Sequence, residues 1–233
     1  MPGLYANFIW LLCTFSEAAV VVCSIRNKSF RQHFALNIYM LACIFVSAGR
    51  FRFLAWYGLS SKEYASFYYY SDVLLTVGLY FALTSLYAHV FEEMAAERHI
   101  RFGALVLLFG TSVFSLAIIA QAGGSHLSTR FFVEVSQNLN FVGLVLTYIL
   151  WGAILKLRET RTRLIQLVLS LGIFFSLLAA SFALRNLYPA LENALPNLMP
   201  LLDCILPVTW AYAFWRIPED ARLVPSRLAV VPR

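Results

Sequence analysis

Five ionisable residues deep in apolar stretches of the chain merit weighing: Glu17, Arg50, Arg52, Asp72 and Asp203. Charge at the depth of a bilayer is costly, so it is kept where it binds something, relays protons or pairs with another group. Asp72 sits in a stretch that is otherwise largely Leu, Val and Phe. On a helix turning about 100° per residue, Tyr69, Asp72, Thr76, Tyr80 and Tyr87 share a sector of roughly 80°. A stripe of phenols and a carboxylate must face other protein. It reads either as the wall of a ligand pocket or proton relay, or as a packed polar seam that fixes helix register. Arg50 and Arg52 are roughly 200° apart and cannot share a face. The deeper Arg50 is expected inside, within salt-bridge reach of Asp72 or Asp203, with Arg52 free to snorkel toward headgroups. Asp203 precedes Pro207 by four residues. Proline has no N–H, so the carbonyl of residue 203 loses its helical partner beside a carboxylate. That suits an ion or water site, although a bend without chemistry is the favoured reading. Glu17 has no identifiable partner and is a candidate relay residue. The candidate ligand or ion pocket is therefore Arg50, Tyr69, Asp72, Thr76, Tyr80 and Asp203.

Other chemistry finds less support. Asp72 and Asp203 could form a proton-sharing dyad of the aspartyl intramembrane protease kind, but the Tyr-Asp and Gly-x-Gly-Asp settings are missing. There is no H-E-x-x-H, nucleophile elbow or P-loop, so no catalytic residues and no enzyme are expected. His33 and His89 fall near the same ends of their segments, where two facing histidines can bracket a haem. Helix-end histidines without a cofactor are the simpler reading, and neither haem nor a metal site is expected. Cys13, Cys23, Cys43 and Cys204 all lie in apolar stretches without C-x-x-C spacing, and are expected to pack as small buried thiols.

The elements that position these residues follow from composition. The chain has 233 residues, 61% hydrophobic and 13% charged, with mean hydropathy +0.72. An average soluble domain is about a quarter charged, so a water-soluble globule is excluded. The wealth of aromatic and aliphatic residues excludes disorder. Seven apolar segments, near 4–25, 34–57, 64–90, 102–122, 131–155, 164–186 and 197–215, are too long and too continuously apolar for barrel strands. The fold class is all-α: a polytopic seven-helix bundle over residues 1–217, with a tail over 218–233. No Lys or Arg precedes Arg26, so the first segment reads as a retained span rather than a signal peptide. Thirteen Lys and Arg residues fall in the first, third and fifth loops and the tail, against three (Lys62, Arg130, Arg185) on the opposite side. That asymmetry puts the N-terminus outside and the C-terminus inside. With this orientation Arg50, Asp72, Glu134, Arg185 and Asp203 gather in the outer half. The net charge of +6 is then a topology signal, and no nucleic-acid partner is expected.

Two stretches carry a resemblance. Tyr70-Ser71-Asp72 with Thr76 four residues on resembles the third helix of microbial rhodopsins, and Leu202-Asp203 with position 207 looks like that family's seventh helix. The resemblance implies a seven-helix bundle with the N-terminus outside, and a counter-ion role for Asp72. The family's retinal-bearing Lys is replaced by Pro207, and Lys28, Lys62 and Lys156 all lie outside the apolar segments, so a retinal Schiff base is excluded. More broadly the chain resembles small seven-helix bacterial membrane proteins. The expected function is a non-enzymatic sensor, receptor-like protein or accessory subunit of the bacterial inner membrane. Its partners would be the lipid bilayer and a protein contacting loops 92–101 and 156–163. A transporter or proton conductor using the intramembrane Asp, Arg and Glu residues is the alternative, and a structural subunit of a larger complex a second one.

Overall fold

A computed structural model of the chain describes residues 4–58, 60–92, 97–122, 127–187 and 195–222. Seven helices run in order: α1 Leu4–Arg26, α2 Phe34–Tyr57, α3 Lys62–Val90, α4 Glu97–Ala122, α5 Leu127–Leu157, α6 Thr162–Leu187 and α7 Leu195–Arg216. Among the described residues, five helices (α1, α2, α3, α5 and α6) are long and apolar enough to cross a membrane. The apolar part of α4 is shorter, Phe102–Ile118, and α7 carries Pro200 and Pro207 within a continuous helix. An apolar exterior that includes Phe15, Phe45, Phe109 and Leu155 is compatible with an integral membrane protein.

The helix ends follow local rules. Ser61 caps α3, its hydroxyl accepting from the Tyr64 N–H at 3.1 Å, as short polar side chains do at N-caps. Gly58 ends α2 at φ 77°, a conformation that favours glycine. Lys28 and Arg158 also take positive φ, 58° and 51°. Each follows a helix end that closes with the six-to-one bond of a Schellman turn, Ser29 N–H to the Ser24 carbonyl and Glu159 N–H to the Ile154 carbonyl.

Helix packing departs from chain order in one respect. α1 packs on α2 and α7, α2 on α3, α3 on α5, α5 on α6, and α6 on α7. These six close a ring, while α4 lies outside it against α5 and α3. α4 turns the small Thr111 and Ser115 toward the bundle and leaves Phe102, Phe109 and Phe114 exposed, so it has little to bury centrally. A disulfide, Cys13–Cys204, joins the first and last helices with their Cα atoms 4.9 Å apart. This corrects the expectation that all four cysteines are free buried thiols, which holds only for Cys43 and the half-buried Cys23.

The apolar core is lopsided. Val20, Leu36, Leu83, Leu86, Ile154, Leu167, Trp210 and Phe214 belong to one cluster, and all fall in the half of the bundle where α1 ends, α2 begins and α7 ends. We call this the carboxy end, and the opposite one the amino end. Trp210 is wholly buried and its indole N–H donates to the Leu167 carbonyl at 3.3 Å. The Tyr39 ring stands edge-on to it, centroids 6.3 Å apart. Gly78 lets that ring approach α3, since a Cβ there would lie 3.2 Å from it. Tyr39 and Trp210 thus plug the centre.

Candidate functional site

The amino half is built differently. Asp203 lies on the same face of α7 as Leu206, Trp210 and Phe214, within about 60° on the helical wheel. Those three are 1%, 0% and 0% exposed, yet Asp203 is exposed. An inward-facing residue can be solvent-accessible only if it opens on interior space. On α3, Asp72 shares the face of Leu79, Leu83 and Leu86, again within about 40°. Those leucines are buried, while the Asp72 side chain is 44% exposed and Tyr68, one turn nearer the amino end, is 40% exposed. The accessible Tyr68, Asp72 and Asp203 side chains thus mark a polar mouth, or vestibule, at the amino end, with the Tyr39–Trp210 plug deeper in the bundle.

Arg50 reaches into this space from α2. Its Nε donates to Ser71 Oγ at 2.9 Å, one Nη to the Tyr68 carbonyl at 3.4 Å, and its guanidinium lies 4.2 Å from the Tyr68 ring centroid. The same Nη stands 4.0 Å from Asp72 Oδ1, so the expected pairing forms, at the outer limit of an ion pair. Arg52 points the other way and stacks on Trp56 at 4.3 Å, as the 200° separation requires. Asp72 is shared between two neighbours: Ser136 Oγ of α5 donates to its Oδ2 at 2.8 Å. Asp203 makes no hydrogen bond or ion pair among the described residues, though it lies within electrostatic range of Arg50, Asp72 and Glu17. Glu17 is 8% exposed and its Oε2 is buried without a hydrogen-bond partner.

The rest of the α3 stripe is used differently. Thr76 Oγ1 lies 2.9 Å from Ser136 Oγ. The Tyr80 hydroxyl donates to the Ala104 carbonyl of α4 at 2.9 Å, and that of Tyr87 to the Leu146 carbonyl of α5. Tyr69 packs edge-on against Tyr68 at 5.9 Å. Thr76, Tyr80 and Tyr87 thus hold α3 to α4 and α5, and only Asp72 joins this seam to the vestibule. The structure brings Arg50 and Asp72 together at 4.0 Å, with Asp203 in electrostatic range of both and of Glu17 but in contact with none; Tyr80 stands about two helical turns from Asp72. Ser71, Tyr68 and Ser136 complete the arrangement, and nothing in their local sequence marks them. The side chains of Arg130 and Arg185 lie outside the described residues.

The carboxy end carries a second polar network. Arg161 donates to Glu159 Oε2 at 2.7 Å and to the His89 carbonyl at 2.8 Å, with Glu92 at 3.6 Å. Hydrogen bonds from Arg161 hold the Glu159 carboxyl below the usual carboxylate range. Arg163 donates to the Ile217 carbonyl at 2.6 Å, and Asn27 to the Phe214 carbonyl at 2.5 Å. Within loop 156–163, Lys156 and Arg158 stay exposed, whereas Arg161 and Arg163 turn inward. Of loop 92–101, residues 93–96 lie outside the described residues. Among the described residues no group of three or more His, Cys, Asp or Glu could hold a metal ion. No family model, curated protein or solved structure matches the chain.

Proposed function

We propose that the chain is an integral membrane protein whose amino half receives a small ligand, acting as a non-enzymatic sensor, a receptor-like protein or an accessory subunit. One observation carries this reading: acids on the inward helix faces are solvent-accessible at one end, while the same faces at the other end are sealed by apolar core. A one-sided opening suits binding. Orientation is supported by two independent signals. The excess of Lys and Arg at the carboxy end puts that end in the cytoplasm. The Cys13–Cys204 disulfide lies about two residues to the amino side of the midpoints of α1 and α7, and disulfides persist on the oxidising side of a membrane. Bacterial inner membrane fits both. The exposed Lys156 and Arg158 are the surface we assign to a cytoplasmic partner.

The test is side-specific labelling. With Cys23 and Cys43 replaced by Ser, Tyr68→Cys should react with a membrane-impermeant maleimide added outside intact cells and stay unreactive in inside-out vesicles. The reverse pattern, or no labelling from either side, would sink this reading. Transport is the second reading, favoured by Glu17, a buried acid with one oxygen unpartnered. It predicts flux in proteoliposomes that Asp72→Asn abolishes; a wild type without flux counts against it.

A further inference from the structure

The carboxy ends of α1 and α7 leave a cavity of about 230 Å³ lined by Cys23, Arg26, Asn27 and Trp215. Asn27 ties the two helix ends together, its amide donating to the Phe214 carbonyl at 2.5 Å. The Arg26 guanidinium and the Trp215 indole N–H have no hydrogen-bond or ion-pair partner among the described residues. Arg216 stands beside them, its guanidinium 5.3 Å from the centroid of the Trp215 ring. Charge here has one sign. From Ala18 to His33 the chain carries Arg26, Lys28 and Arg31 and no acid, and from Cys204 to Pro218 it carries Arg216 and no acid. Past Pro218, Glu219 is engaged by Arg163 at 3.6 Å and Asp220 is exposed. The cavity therefore offers N–H donors and positive charge to an anion rich in oxygens.

One turn toward the bundle centre, Val22 on α1 shares the face of Arg26, and Tyr212 on α7 that of Trp215, within about 60°. Both are exposed, so an apolar wall adjoins the polar cavity. We infer that the cavity takes the phosphate of an anionic phospholipid, whose acyl chains run along Val22 and Tyr212. This rests on the membrane reading above and not on the vestibule. A guanidinium matches phosphate with paired N–H donors, tryptophan prefers headgroup level, and basic pockets between spanning helices on the cytoplasmic side hold anionic headgroups. A zwitterionic headgroup brings an ammonium that Arg26 and Arg216 repel, and a free phosphate has no use for the apolar wall. The positive-inside rule asks only for basic loops and does not account for a cavity between two helix ends.

The experiment is tryptophan fluorescence of the full-length protein in phosphatidylcholine nanodiscs doped with acyl-brominated phosphatidylglycerol or, at the same mole fraction, acyl-brominated phosphatidylcholine. We expect phosphatidylglycerol to quench more, with the excess saturating as its fraction rises and vanishing in Trp215→Phe. Arg26→Gln and Arg216→Gln should each raise the half-saturating fraction about five-fold. Inorganic phosphate, against chloride at equal ionic strength, should leave the excess in place. Equal quenching by the two lipids overturns the inference, as ordinary boundary lipid would give. So does an excess that survives in Trp215→Phe, or an unchanged half-saturating fraction in both arginine variants. Loss of the excess to inorganic phosphate assigns the cavity to the free ion and overturns the lipid. The wild-type comparison decides even if a variant fails to fold. A protein that enters nanodiscs without the excess refutes the site and leaves the membrane reading, whereas one that does not enter refutes both.

Discussion

His33 sits at the start of α2 with 5% exposure, its ring stacked on His89 at 5.2 Å and edge-on to Phe214 at 5.4 Å. Burial first, then the neighbouring His89, Arg163 and Arg161, push its imidazole down to about 3. The ring is thus neutral in the fold, while an unfolded chain takes up its proton near pH 6.5. The stability it allows is complete above about pH 6.5 and is lost as pH falls from there toward about 3. Thermal unfolding should therefore show a lower Tm at about pH 5 than at about pH 7.5, with a smaller drop in His33→Phe; an equal drop would refute the assignment. Arg50 gives a second prediction. Its pair with Asp72 is long and partly solvated, so we expect Arg50→Met to cost about 1–2 kcal/mol through the Ser71 bond and the Tyr68 stack. Asp72→Asn should cost less, because Ser136 can still donate to the amide oxygen; denaturant titration in detergent compares the two. Arg50 was legible in the sequence because charge in an apolar stretch must be met. Its partners Ser71 and Ser136 were not, since serine at membrane depth usually bonds its own helix, as Thr14, Ser16 and Ser112 do here.

Among the elements, α5 shows how a helix is fitted to its neighbour. A Cβ on Gly143 would stand 2.6 Å from the buried Phe175 ring, whereas one on Gly152 meets nothing within 4 Å. We expect Gly143→Ala to destabilise the bundle by about 1–3 kcal/mol through overpacking, and Gly152→Ala to stabilise it by about 0.5–1 kcal/mol through helix propensity. Similar Tm values for the two variants would show that α6 does not pack this closely. All seven apolar segments became helices. The largest boundary shifts, at the starts of α4 and α5, extend into polar residues that hydropathy leaves out. The polar stripe of α3 was legible as a line of residues, but whether it faced a pocket or a seam depends on which helix lies opposite. Placing α5 beside α3 commits Thr76 and Tyr87 to the seam, and α4 commits Tyr80.

For the whole molecule, the disulfide closes the ring across 191 residues of chain. Loop entropy alone would be worth about 5 kcal/mol for so long a loop. On the membrane reading proposed above, the unfolded state keeps its helices and is already restricted, so the measured effect should be smaller. Peptide mapping without reductant should recover Cys13 joined to Cys204, and Cys13→Ala should lower Tm; free thiols at both positions would remove the ring closure. The sequence by itself determined the fold class, the helix number and the charge asymmetry, because each depends on composition summed over a span or a loop. It also singled out the costly residues, Glu17, Arg50, Asp72 and Asp203, because burial penalties apply to residue types. Only the tertiary structure decided that α4 lies outside the ring, that Cys13 meets Cys204, and that Asp203 opens on accessible space while Trp210, two turns below, is sealed. Those outcomes depend on which helix faces which, and that is set by side-chain fit between segments far apart in the chain.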